Sequence, residues 1–326
     1  MNALRSALWP VLCLIGSYSL LPNQLSAQSF QFTQIQQLTN QDIVLGLSAP
    51  TGQAYRIESA ESPNVWQPLI TFPTNNVTSL SHTDSAAPYL SERFYRALEL
   101  NQPSVLSGDH LATTNGDVIL HPHQHAAIIL GWNGQYIYVD PKNDVLSYAG
   151  QPRGGLVLVT HSHSDHFNTA TIEAVRSNNA AILCPQAVYT ALTATQKVNA
   201  TVLTNGASTN LMGINVEAVR AYNSNHPIGT GNGYLLTIGD RRIYIAGDTG
   251  DISEMRALTN IDVAFVPINL PYTMSLSNAV SAVRQFKPKV VYPYHFSPST
   301  PPTDINAFKQ QVGTDVGVEV RLRKWY

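Results

Sequence analysis

Apolar and polar residues follow two different rhythms along this chain, and the change falls near residue 100. Between Ser29 and Leu100 the apolar positions come in short runs rich in β-branched and aromatic residues: SFQFTQI, DIVLGLS, AYRIES, VWQPLITF and RFYRALEL. Clusters such as Ser48-Ala49-Pro50-Thr51-Gly52 and Pro73-Thr74-Asn75-Asn76 separate them. Short strands at this spacing, punctuated by turn residues, predict a small antiparallel sandwich. The polar stretch Asn101 to Asp109 reads as a linker. Beyond it, strand-like runs (AAIILGW, QYIYVD, GLVLVTH) alternate with helix-like ones (TIEAVRSNN, SNAVSAVRQF), which predicts an α/β domain.

The first 27 residues have a rhythm of their own. Arg5 precedes the compact apolar run Ala7 to Leu21, and Leu25-Ser26-Ala27 offers a small-residue cleavage site before Gln28. This order predicts a secretory signal and a periplasmic or secreted protein. The run is too short to span a bilayer comfortably and ends in Pro22-Asn23. The expected division is therefore 1–27 signal peptide, 28–100 β-sandwich and 101–326 α/β domain. No later run has the length of a membrane span, so no stable span is expected once the signal is removed. Cys184, the one cysteine outside the signal, lies in the apolar run AAILC and reads as a buried core thiol.

Composition adds exclusions. The 326 residues are 44% hydrophobic and 12% charged, with a formal net charge of -2. No basic surplus points to nucleic acid and no charge run points to a polybasic membrane contact. A small-molecule partner remains; oligomeric state cannot be read.

The chemistry concentrates in THSHSDHF, Thr160 to Phe167, which places His161, His163, Asp165 and His166 within six positions. The cluster follows the apolar run GLVLVT and so sits on the loop leaving a buried strand, where α/β folds present their chemistry. Neutral imidazole and carboxylate suit zinc and similar divalent ions. Further polar residues close other apolar runs: Asp140 ends QYIYVD, Asp248 ends RRIYIAGD and His295 ends VVYPYH. Jointly these strand ends predict a convergent metal site.

These residues resemble the metallo-β-lactamase superfamily, in order over about 220 residues: Asp140 its first motif, His161 to His166 its second, Asp248 its fourth and His295 its fifth. Within it the chain is most similar to the compact branch of ascorbate-phosphate lactonase-type proteins, through His125 before AAIIL, Asp140-Pro141, Gly233-Tyr234 and Tyr272-Thr273-Met274. The resemblance implies an αββα sandwich and a metal-dependent hydrolase with two divalent ions, zinc expected and manganese or iron as alternatives. It assigns His161 and His163 to the first ion, and Asp165, His166 and His295 to the second. Asp248 would bridge them, and Asp140 would orient a ligand histidine. Asp165 would also steer the attacking water. The N-terminal segment is similar to a β-sandwich module of exported bacterial proteins, through Tyr55-Arg56-Ile57-Glu58, Trp66, Asp84 and Arg93-Phe94-Tyr95-Arg96.

One departure stands out. Asn223 occupies the place expected of a third-motif histidine, and His226 follows three residues later. Either His226 swings in as ligand or Asn223 coordinates through its amide oxygen. His125 is expected to support the site or touch substrate, while His121 and His123 read as loop residues. The expected function is exported hydrolysis of an ester, lactone or phosphoester by a metal-activated water, with a non-catalytic metal- or ligand-binding protein as the alternative. A di-iron oxidoreductase fits less well, because His163 stands where that branch carries a glutamate.

Overall fold

A computed structural model describes residues 30–62, 65–74, 76–90, 92–100, 106–299 and 302–326. The expected signal peptide and part of the expected linker lie outside the described residues. The chain divides into two compact units, with the change between His110 and Leu111.

The N-terminal unit is built from β1 (Gln31–Gln37), β2 (Ile43–Ser48), β3 (Ala54–Ala60), β4 (Gln67–Phe72), β5 (Ser79–Asp84), β6 (Phe94–Leu100) and β7 (Gly108–Leu111), the last crossing the boundary. One antiparallel sheet runs β1-β2-β5, and β3 pairs with both β4 and β6 in a second. Leu45 on β2 packs with Ile57, Ile70 and Tyr95 of the other sheet, so the two layers share one core. A buried carboxylate fastens them. Asp84 closes β5, and on the facing side Arg93 Nε and the Tyr95 hydroxyl donate to its Oδ2 at 2.8 and 2.9 Å. Arg96 donates to Glu58 across the β3–β6 ladder and lies over the Trp66 ring at 4.5 Å. The sequence motif of this module is thus largely its polar fastening.

The second unit is an αββα sandwich. Its first sheet contains β8 (Val118–Gln124), β9 (Ala127–Trp132), β10 (Gln135–Val139), β11 (Gly154–Leu158), β12 (Arg176–Cys184) and β13 (Ala200–Val202), with helices α1 (Thr169–Val175), α2 (Gln186–Ala191) and α3 (Ala194–Lys197). β8 to β10 are antiparallel neighbours, and β10 to β13 run parallel. The second sheet repeats the scheme. β14 (Ser208–Leu211), β15 (Ile214–Ala221), β16 (Gly231–Ile238) and β17 (Arg241–Ile245) are antiparallel; β18 (Val263–Pro267), β19 (Val290–Tyr294) and β20 (Glu319–Val320) continue it in parallel. Helices α4 (Ser253–Arg256), α5 (Leu276–Phe286) and α6 (Ile305–Val312) belong to this half.

Continuous apolar runs arise here because central strands are covered on both faces. Ile243, Ile245, Val263 and Phe265 enter the core between the sheets, packed with Leu130, Val139 and Leu158. Their neighbours Tyr244, Ala264 and Val266 turn the other way, onto Ala279, Val283 and Phe286 of α5. A fully buried Leu, Ile or Phe contributes roughly 1.5–3 kcal/mol, so this alternation fixes the register.

Two expectations need correction. TIEAVRSNN is not one helix: α1 stops at Val175, and Arg176–Cys184 is strand. The backbone from Arg176 is drawn into the parallel ladder with β11, pairing Gly154 with Arg176 and Leu156 with Ala181. His121 and His123 lie on β8 rather than in a loop, and the His123 ring stacks on Tyr148 at 4.1 Å. Cys184 is buried as expected, and burial pushes its thiol up to about 12.

Asp84 gives the first testable outcome. Burial alone would raise its carboxyl, but the Arg93 guanidinium and the Tyr95 hydroxyl outweigh it and hold the group below the usual carboxylate range. The unfolded chain therefore binds more protons. The stabilisation is complete above the ordinary carboxylate value of about 3.9 and fades as pH falls through the folded value. Asp84→Ala should cost about 3 kcal/mol by stranding Arg93, read as denaturant unfolding of this unit at pH 7. A loss below about 1 kcal/mol would show that solvent already screens the pair.

Candidate metal centre

The parallel strands place their carboxyl ends along one edge, and polar residues of the sequence pattern gather there. Asp140 follows β10 and is fully buried. Its Oδ1 accepts the Thr160 amide at 2.7 Å; its Oδ2 accepts the Thr160 hydroxyl at 2.8 Å and faces His166 Nδ1 at 2.7 Å. Thr160 Oγ1 in turn lies 3.0 Å from His161 Nδ1. Since that hydroxyl gives its proton to Asp140, it accepts from His161. Both imidazoles therefore donate from Nδ1 and turn Nε2 away from these partners. The loop between them is one tight turn, with the His166 and Phe167 amides both donating to the His163 carbonyl.

Two groups of donor atoms result. His161, His163 and His226 form one; His125, Asp165, His166 and His295 form the other. Asp248 stands between them. Its Oδ2 lies 3.8 Å from His161 Nε2 and 3.7 Å from His226 Nε2. Its Oδ1 lies 3.2 Å from His166 Nε2 and 3.3 Å from His295 Nε2. Gly247 sets this carboxylate: its φ is 64°, and a Cβ there would meet the Asn232 carbonyl at 2.8 Å.

The donors fit divalent ions. His161 Nε2, His166 Nε2, His295 Nε2 and Asp248 Oδ1 are buried without a hydrogen-bond partner. Buried polar atoms are otherwise paired, and each orphan costs roughly 1–3 kcal/mol. Ligands about 2.0–2.1 Å from one ion in a tetrahedron stand about 3.3 Å apart, close to the separations above. At His125 the proton count gives the same answer. The Tyr326 hydroxyl donates to the Phe296 carbonyl at 2.6 Å and accepts from His125 Nδ1 at 2.7 Å. Burial depresses His125, leaving Nε2 unprotonated 3.1 Å from the ionised Asp165 Oδ2, two acceptors face to face that a cation would reconcile. Burial raises Asp165 and Asp248, but the imidazoles packed around them, His125 and His295 beside the former and His166 and His295 beside the latter, hold both well below the carboxylate range. Burial and the neighbouring His166 charge lower His161 to about 2.

Of the two candidates at the third motif, the structure brings His226 into the centre. Asn223 is not placed as a ligand. Its Oδ1 accepts from the Asn225 and His226 amides at 2.8 and 3.0 Å and from His226 Nδ1 at 3.0 Å, which occupies the oxygen. Its Nδ2 donates to the Asp248 carbonyl at 3.2 Å and the Tyr272 carbonyl at 2.8 Å. His125 stands closer in than a supporting residue. Thr160 and Tyr326 carry roles the sequence reading missed. For Thr160 the signal was its place directly before the histidine cluster; Tyr326 had none, being 201 residues from its partner.

The chain has relatives among known proteins. The profile of the Beta-lactamase superfamily domain matches residues 120–295. A metal-dependent hydrolase of Nanoarchaeum equitans is 32% identical over 185 residues, 53% of this chain and 81% of that protein. Among solved structures, a protein from Parabacteroides distasonis named as a metal-dependent hydrolase is 36% identical, with a TM-score of 0.61 over 66% of this chain and 97% of that one. A metallo hydrolase of Ignicoccus hospitalis is 28% identical, with a TM-score of 0.56 over 64% and 95% of the two chains.

The supporting residues can be tested apart from the ligands. Asp140→Asn should weaken metal binding at the His166 half roughly 10- to 100-fold, and Asn223→Leu should do so at the His226 half. Competition against a chelating dye, with each ion titrated into the stripped protein, reads both constants. Unchanged affinity in either variant would mean that the side chain orients nothing.

Proposed function

Because the chain belongs to the metallo-β-lactamase superfamily and is a metal-dependent hydrolase, we propose that it holds two divalent ions, zinc by donor type, and hydrolyses an ester, lactone or phosphoester outside the cytoplasm. One observation carries the number of ions: Asp248 presents one oxygen to each group of donors. His161, His163 and His226 would hold one ion, and Asp165, His166, His295 and His125 the other. A pair of ions bound there would supply Lewis acidity toward a substrate oxygen and bring a shared water near neutral pKa.

The chain's own residues do the rest. Asp165 has its side chain 45% exposed, while those of Asp140 and Asp248 are buried. It is the carboxylate of the centre that an entering water meets. Oδ2 of Asp165 faces the histidines, so Oδ1 is assigned to taking up the proton of the attacking water. Asn223 and Asp140 hold His226 and His166 in one ring orientation. No covalent route competes through Cys184, which is buried in β12 with its thiol held protonated. The reading of a degenerate, non-catalytic site rested on the third motif, and His226 removes that support. Export rests on the sequence of the first 27 residues.

Elemental analysis of the purified protein should give two ions per chain, and a screen of esters, lactones and phosphodiesters should find turnover. Asp165→Ala should cut kcat by roughly 10²- to 10⁴-fold. One ion or fewer per chain, or full turnover in the variant, would overturn the mechanism.

A further inference from the structure

Large apolar side chains exposed to solvent are unevenly placed in the second unit. Among its described residues they are Val145, Leu146, Ile228, Leu270, Tyr272 and Tyr326, with Val198 as the outlier. Apart from Val198, each sits on a segment tied to the metal centre. The Asn269–Thr273 segment spans the mouth: Asn269 Nδ2 lies 3.4 Å from His295 Nδ1 in one half of the centre. At its other end the Tyr272 carbonyl accepts from Asn223, the residue that holds His226 in the other half. Leu270 and Tyr272 project from this segment, 64% and 56% exposed. Asn225 Nδ2 joins it at the Pro271 carbonyl, 2.9 Å away, and so brings in the loop bearing Ile228. The segment carrying Val145 and Leu146 meets the histidine loop where the Asn143 amide donates to the Ser164 carbonyl. Tyr326 touches His125 directly.

The stretches YNSNHPIGT (222–230) and INLPYTMS (268–275) contain no Lys, Arg, Asp or Glu, whereas Lys142 and Asp144 precede Val145 and Arg323 and Lys324 lie close before Tyr326. A sugar phosphate or other small anion has no cationic side chain to meet on those two stretches. A collar of exposed apolar groups around a catalytic centre marks a binding surface for apolar matter.

Resting on the hydrolase reading above, we propose that the substrate is an uncharged ester or lactone carrying an extended aliphatic acyl chain, which lies along Leu270, Tyr272 and Ile228 while its carbonyl enters the metal centre. Hydrolysis adds water across the acyl C–O bond. The acyl carbon takes the hydroxyl as a carboxylic acid, and the alkoxy oxygen takes the proton.

The test uses binding, so that it does not depend on turnover. Straight-chain carboxylates from acetate to decanoate, below their micellar concentrations, are titrated calorimetrically into the metal-loaded protein. A fully buried methylene is worth about fourfold in affinity and a half-covered one about twofold, so octanoate should bind on the order of 50-fold tighter than acetate. Leu270→Ser/Tyr272→Ser should at least halve the logarithmic slope, with metal content per chain as the control for an intact centre; Ile228→Ser should lower it independently. A flat series in the parent, or an unchanged slope in both variants, would overturn the proposal. So would a flat series with tight sedimentation on phosphatidylcholine vesicles, which would give the collar to a membrane surface. Graded binding with no turnover of the matching esters would instead remove the hydrolytic reading and leave the collar standing.

Discussion

One buried carboxylate organises this molecule's chemistry. Asp140 has no solvent contact and satisfies three donors at once: the Thr160 amide, the Thr160 hydroxyl and His166 Nδ1. Through that hydroxyl it also reaches His161. A single side chain thereby sets the ring orientation of a candidate ligand in each half of the centre. Thr160, which Asp140 holds, joins the two sheets, because its carbonyl accepts the Asn232 amide of β16 at 2.9 Å. Burial makes this control firm, since a charge so deep has no competing water and must keep its partners.

The energetic counterpart is a centre built at a loss. Carboxylates held ionised, imidazole Nε2 atoms without partners and other orphaned polar atoms are all unfavourable in a packed interior. They persist because the sandwich around them is over-determined by its two apolar layers. Ion binding repays part of that loss, so metal loading and folding stability are one equilibrium in this protein.

Much of this was legible beforehand, and for identifiable reasons. Strands covered on both faces announce themselves as unbroken apolar runs, and a His or Asp closing such a run stands out; that is how Asp140, Asp248 and His295 were found. The histidine cluster needed no context. What sequence could not show was side-chain direction. Asn223 and His226 are three residues apart, and only the turn between them, closed by the Asn223 and His226 backbones, decides which one points inward. The end of α1 was missed because no Gly or Pro marks it; a ladder formed with β11, distant in sequence, stops the helix. Tyr326 belongs to the same class of long-range partner.

Three residues of the centre share one backbone peculiarity: His125, Asp140 and His295 have φ values of 58°, 48° and 45°. Side chains other than Gly enter this left-handed region at roughly 1–2 kcal/mol, and Asn, Asp and His tolerate it best. Replacement of these positions by Cys or Glu, the usual currency of changing metal preference, meets a barrier in the main chain before coordination chemistry is consulted. His163 carries no such restriction and lies exposed. In descendants of this chain that drift toward a different metal, position 163 is where the first change can be afforded, while the left-handed positions stay as they are.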